Sequence, residues 1–230
     1  MGKRLLVATC FVSAVCASCA GNKTAQDNRP PGQGILDSAT DNFEPAKEPD
    51  LTADTRYAAG QLAESQEDWS RAISQYEKAL EVDRKHQPSI YRLGVLYTKK
   101  KDFPKAVATW QNYVEATGGA ASAYANLGYC YDLANDPKNA EAAYLKGIKQ
   151  DDKNVACRMN YGLMLARRGQ HDKGLAQLQT VMKPAEAHYN LASLYEEQNL
   201  RDMARYEFGR AVQLDPTMKD ARTRLAALDH

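Results

Sequence analysis

The sequence predicts an all-α protein, a solenoid of about five helix–turn–helix repeats with a C-terminal capping helix. Gly60, Gly94, Gly128 and Gly162 stand 34 residues apart, and self-similarity at one fixed period of this length marks an array of two-helix units. The surroundings of the glycines recur as well. Ala72 and Tyr76, Ala106 and Trp110, Ala140 and Tyr144, and Gly174 and Leu178 follow them at twelve and sixteen residues. A fifth copy carries Ala192, Ala204 and Phe208. Two helices that cross closely need a small residue at the crossing and a large side chain to fill the space beside it.

From the N-terminus, Lys3-Arg4 precedes an almost wholly apolar or small run from Leu5 to Ala17. That run is too short to span a bilayer and predicts a secretory leader over residues 1–18. Cys16-Ala17-Ser18-Cys19 resembles the bacterial lipobox, which makes Cys19 the expected lipidation site, although Cys16 stands where that motif usually has a branched apolar residue. The resemblance implies a membrane partner through an N-terminal lipid anchor. Ala20 stands where an inner-membrane retention signal would carry Asp, so the expected place is the outer membrane, facing the periplasm. Cleavage after Ser18-Cys19-Ala20 would instead release a soluble periplasmic protein. Residues 19–52 hold Pro30, Pro31, Pro45 and Pro49 and few large apolar side chains. Such a segment buries too little surface to offset its ordering entropy, and a disordered tether of roughly 30 Å r.m.s. reach is expected.

The array is expected over residues 53–218, with repeats near 53–86, 87–120, 121–154, 155–184 and 185–218 and the end of a capping helix at 219–230. Helix pairs are expected near 53–65 and 69–82, 87–100 and 103–116, 121–134 and 137–150, 155–168 and 171–182, and 185–198 and 201–214. Asp68, Asp102 and Asp136 share one repeat position, where a short acceptor caps the second helix. Pro137 then falls in a first turn, where proline is tolerated. Gly118-Gly119 and Asp215-Pro216 punctuate exits from second helices. Repeat four is irregular: Gly162 and Ala192 are 30 residues apart, so about one helical turn is missing before Lys183-Pro184 and its second helix should be short. A final helix over 217–228 carries Lys219, Asp220, Arg222 and Arg224, the polar exterior that a solubilising end cap needs.

This combination of period, small residues and rings resembles the tetratricopeptide repeat family. The resemblance implies a right-handed α-solenoid whose first helices line a concave groove that holds a segment of a partner protein. At the family's inward positions stand Tyr91, Arg92, Asn126, Tyr129, Asn160, Arg167, Tyr189 and Asn190, the candidate partner-binding residues. Tyr supplies rigid contact area with a polar tip, and Asn supplies a donor and an acceptor for an extended backbone. Asn126, Asn160 and Asn190 occupy one repeat position and would form a ladder. Groove charge reads as basic in the middle (Arg92, Lys99, Arg167) and acidic at the ends (Asp54, Glu64, Glu196, Glu197), which suits a partner with an acidic centre. The Lys with which carboxylate-clamp repeats hold chaperone C-termini is absent, because Tyr57, Tyr91, Ala125, Met159 and Tyr189 fill that position.

Composition narrows the function class. The formal charge is +1 with 26% charged residues, which argues neither for nucleic acid nor for a charge sink. His86, His171, His188 and His230 lack metal-ligand spacing, and no phosphate-cradling glycine loop or nucleophile elbow is present. The chain is therefore not expected to be an enzyme, and no cofactor, metal, nucleic acid or small-molecule substrate is expected. Cys130 and Cys157 occupy offset positions on parallel helices, on the order of 10 Å apart along the axis. That lies beyond disulfide reach, so two buried thiols are expected.

Leader, lipobox, tether and repeats together resemble bacterial lipoproteins that assist type IV or tight-adherence pilus assembly. They resemble equally the repeat lipoproteins that recruit peptidoglycan hydrolases or proteases. The expected function is a protein–protein interaction scaffold of the cell envelope, possible in either pathway. A soluble periplasmic ligand-binding protein or enzyme is the contrasting class, and it would need titratable groups converging in the groove.

Overall fold

The computed structural model describes residues 51–228. The expected leader, the Cys19 anchor and all of the tether except Leu51 and Thr52 lie outside the described residues. Eleven α-helices and no strand occur within them: α1 (Ala53–Ser65), α2 (Trp69–Val82), α3 (Gln87–Lys99), α4 (Phe103–Ala116), α5 (Ala121–Leu133), α6 (Pro137–Gln150), α7 (Val155–Arg167), α8 (His171–Gln179), α9 (Pro184–Glu197), α10 (Arg201–Leu214) and α11 (Lys219–Leu228). Consecutive pairs form five antiparallel hairpins that stack into a right-handed solenoid, with α11 packed on α10.

Each hairpin closes on its small residue. A Cβ built on Gly60 would lie 2.4 Å from the Tyr76 ring, one on Gly94 2.6 Å from Trp110 and one on Gly128 2.6 Å from Tyr144. Repeat five uses Ala192 beneath Phe208, both with no exposed surface. Repeat four has no ring at this place, and its helices approach backbone to backbone. A Cβ on Gly162 would stand 2.8 Å from the Gly174 carbonyl oxygen. All five inner turns are built alike. Glu67, Lys101, Asn135, Gly169 and Asn199 take left-handed conformations, with φ of 59°, 59°, 58°, 78° and 59°. The following amide then reaches back to the helix, as Asp68 N to Ala63 O at 2.9 Å and Leu200 N to Tyr195 O at 2.8 Å. This is the Schellman closure, which satisfies carbonyls that the helix end leaves open. Asp68, Asp102 and Asp136 then accept from Arg71, Lys105 and Asn139 backbone N–H groups at 3.0, 3.4 and 3.1 Å, so the expected caps form.

Two expectations are corrected. α8 ends at Gln179 rather than near 182, and Thr180–Met182 turn sharply into α9. The missing helical turn is taken from the end of α8, and Pro184, which has no N–H to donate, starts α9 at its first position. α11 starts at Lys219 rather than 217, and its Arg224 does not serve the polar exterior. The guanidinium is half-buried, 4.8 Å from the Phe208 ring centroid and paired with Glu196 on α9. Cys130 and Cys157 are buried free thiols in separate niches. Cys157 Sγ donates to Ala121 O at 3.2 Å and occupies the space left by Gly147, whereas Cys130 lies beside Thr98.

Candidate protein-binding face

The side chains directed inward from α3, α5, α7 and α9 are not equivalent. Arg92 Nε donates to Glu64 Oε1 at 3.0 Å, and its Nη2 donates to Oε2 of the same carboxylate, a two-pronged pair between α1 and α3. Arg167 Nη1 donates to Asp132 Oδ2 at 2.5 Å between α5 and α7. The carboxylates are the more enclosed partners, with side chains 11% exposed for Glu64 and 7% for Asp132. The expected basic centre of the groove is thus neutralised from within. Long cations on one helix reach acids on the preceding first helix, and a fixed planar guanidinium matches a carboxylate in this way. Lys99, the third member of that centre, holds its ammonium 4.1 Å above the Trp69 ring. The preference for an acidic partner segment loses its basis.

Beneath these pairs lie the rings of the hairpin crossings. The Tyr76 hydroxyl is buried beside the Glu64–Arg92 pair without a well-directed hydrogen bond. Burial first, and then the Glu64 carboxylate, pushes its pKa upward. The Tyr144 hydroxyl is likewise buried, near Asp132 and Arg167, and is pushed upward chiefly by burial.

Tyr189 and Asn190 are also committed. The Tyr189 hydroxyl accepts from Arg224 Nη1 at 3.1 Å, and its ring meets Phe208 edge-on at 5.6 Å. Asn190 Nδ2 donates to Glu186 O, one helical turn earlier, at 2.8 Å. The expected asparagine ladder therefore shortens to Asn126 and Asn160. These two are half-buried, and their side chains have no hydrogen-bond partner among the described residues. Tyr91 and Tyr129 are 38% and 46% exposed, with hydroxyls likewise unpartnered. Of the eight candidates, Tyr91, Asn126, Tyr129 and Asn160 remain free, on the adjacent helices α3, α5 and α7. Four rigid or short side chains with unused donors and acceptors can engage an extended backbone at little entropic cost.

The sequence did not reveal two clusters. His188 Nδ1 lies 2.6 Å from Glu207 Oε2, and Glu207 is 1% exposed. His171 adds Nε2 at 3.3 Å from the other carboxylate oxygen, and its Nδ1 lies 2.9 Å from the Tyr195 hydroxyl. A signal existed for the first of these pairs. His188 and Glu207 occupy the repeat positions of Arg56 and Gln75 and of Arg158 and Gln177, which also join, at 3.5 and 2.6 Å. The second cluster is a ring-lined slot around Tyr113, whose place on a second helix took it out of the inward set. No group of three His, Cys, Asp or Glu side chains suited to a metal ion occurs among the described residues. A cleft of about 340 Å³ between α4 and α6, floored by α5, is apart from the free tyrosines and asparagines.

Family models described as tetratricopeptide repeat match residues 57–121, 91–155 and 185–218. The unmatched stretch 156–184 holds the shortened repeat. Anaphase-promoting complex subunit 3 of Schizosaccharomyces pombe is 26% identical over 153 residues, covering 65% of this chain and 23% of that protein. The chain spans about a tenth to a quarter of the length of the curated relatives it matches. Among solved structures, YrrB, a repeat protein described as having an unusual peptide-binding site, superposes with a TM-score of 0.52 at 23% identity, covering 75% of this chain and 91% of that one. PilW, described as a widely conserved type IV pilus biogenesis factor, gives a TM-score of 0.57 at 18% identity, with coverages of 76% and 85%. At these identities the two structures speak to the fold.

Proposed function

The chain belongs to the tetratricopeptide repeat family, and on that premise we propose that it is a scaffold of the bacterial cell envelope that holds an extended segment of a partner along α3, α5 and α7. Protein–protein interaction is the common work of this fold. The observation that carries the choice of face is the row Tyr91, Asn126, Tyr129 and Asn160, whose polar groups are unpartnered while their neighbours are spent on ion pairs between helices. Lipidation at Cys19 would hold the scaffold at the outer membrane, and the lipobox-like Cys16–Cys19 supports this. Assistance in pilus or secretion-complex assembly is the favoured pathway, supported by the shared fold of PilW.

Crosslinked co-purification of the tagged full chain from cell envelopes tests the face. It is run beside a Tyr91→Ala, Tyr129→Ala, Asn160→Ala triple variant whose unfolding midpoint is checked first. A protein captured by the native chain and lost with the variant supports the proposal and identifies the pathway. Equal capture by both removes this face as the binding site. Fractionation of a Cys19→Ala variant tests the anchor, which requires its release from the membrane fraction.

A further inference from the structure

At the N-terminal end of the same inner face, a slot of about 320 Å³ opens between α1, α3 and α4, lined by Tyr57, Gln87, Pro88, Tyr91 and Tyr113. We infer that this slot reads proline: it takes a proline-bearing segment in the extended polyproline conformation. The inference rests on the proposed protein-binding role of the inner face and names the chemistry of the segment it holds.

The slot walls are rigid. Tyr91 lies 5.6 Å from Tyr113 at an interplanar angle of 57° and 5.5 Å from the buried Trp110 at 77°. Tyr57 is braced at 5.5 Å by Tyr76 and at 5.6 Å by His86. Rings braced edge-on or tilted against their neighbours present apolar faces at set angles, a slot that a flat, stiff pyrrolidine fills with little loss of freedom.

No charged side chain lines the slot. Glu64 is paired with Arg92, and Asp54 lies 3.0 Å from His86 Nε2. A charged side chain entering here would lose water and gain no counter-charge.

The hydrogen-bonding character points the same way. The Tyr91 and Tyr113 hydroxyls have no partner among the described residues. Tyr57 only accepts, from Gln61 Nε2 at 3.2 Å, so its O–H is still available to donate. Gln87 spends an amide N–H on Ala116 O at 2.9 Å. The three hydroxyls can therefore each donate to a carbonyl oxygen. A proline-rich segment offers the complement, carbonyl acceptors with few or no N–H groups.

Trp110, in contact with Tyr91, provides the readout. The full chain is titrated with a blocked ten-residue polyproline peptide, a blocked glycine–serine peptide of equal length and a blocked oligolysine peptide, following tryptophan fluorescence and heat. Saturable binding of polyproline alone is expected. Tyr113→Phe, which removes only a hydroxyl, should weaken it about fivefold, and Tyr91→Leu more than tenfold. Tyr206→Ala, an exposed ring on α10 away from both the slot and the inner row, should leave it unchanged. Absence of saturable polyproline binding, equal affinity in Tyr91→Leu and Tyr113→Phe as in the native chain, or preference for oligolysine overturns the inference. Oligolysine preference would mark a cation-binding ring cage instead. The two proposals fail separately. Partner capture that depends on Tyr129 and Asn160, without polyproline binding, removes only the slot. Polyproline binding beside partner capture indifferent to the triple variant removes only the assignment of the α3, α5 and α7 row as the partner-binding face.

Discussion

Arg224 on the capping helix donates to Glu196 as Arg92 donates to Glu64, each pair separated by 28 residues and each joining consecutive first helices. The cap thus repeats, at the end of the array, an inner-face clasp used at its start. Arg92→Ala leaves the enclosed Glu64 carboxylate without its counter-charge and should lower stability by roughly 1–2 kcal/mol, the buried-pair cost reduced because Arg92 is partly solvated. Urea denaturation of Arg92→Ala, Glu64→Ala and the double variant measures the coupling, and additive effects would show that the pair contributes nothing.

The glycines divide by what surrounds them. Gly94→Ala drives a methyl into Trp110 and should cost about 1–3 kcal/mol. Gly209→Ala, with nothing within 4 Å of the added Cβ on α10, should gain about 0.5–1 kcal/mol. Opposite shifts of the thermal midpoint check both.

Repeat four alone places glycine at the left-handed position of its inner turn, φ 78° at Gly169. Gly169→Ala should cost about 1 kcal/mol, whereas Lys101→Gly relieves a Cβ held at φ 59° and should gain roughly 0.5 kcal/mol. Denaturant midpoints of the two variants moving in the same direction would contradict this account.

Glu207 and His188 form the buried polar pair of repeat five. Glu207→Ala strands the imidazole and opens a cavity, and it should destabilise by about 2–4 kcal/mol. His171→Ala, at a residue with a side chain 28% exposed, should cost less. Hydrogen exchange in α9 and α10 is the informative measurement, since loss of the pair should loosen these helices before those of repeats one to three.

Burial pushes the Cys157 thiol up to about 11, and Cys130 also rises, by burial. The folded state favours the neutral thiol. Its contribution is therefore complete below the ordinary thiol value near 9 and is lost as pH rises toward about 11. The thermal midpoint should fall more steeply across that window in the native chain than in Cys157→Ala. At pH 8, peptide mapping after a thiol reagent should find both residues unmodified until denaturant is added.

The sequence by itself determined the repeat period, the order of the helices, the caps at Asp68, Asp102 and Asp136, and the close crossings at Gly60, Gly94 and Gly128. Each of these depends on residue size or local hydrogen bonding at a fixed chain offset, and a period displays such offsets directly. Only the tertiary structure decided which inward residues are free. Arg92 and Tyr91 are neighbours on one helix, yet one is spent and the other open, because Glu64 lies within reach of the first on the preceding first helix. The same holds for Arg224, whose polarity suggested solvent until Phe208 and Glu196 came within reach. It holds also for Tyr113, which joins the slot from a second helix. Helical periodicity fixes the direction in which a side chain leaves its own axis. What it meets there depends on the crossing geometry of neighbouring helices and on how far a long side chain extends across it.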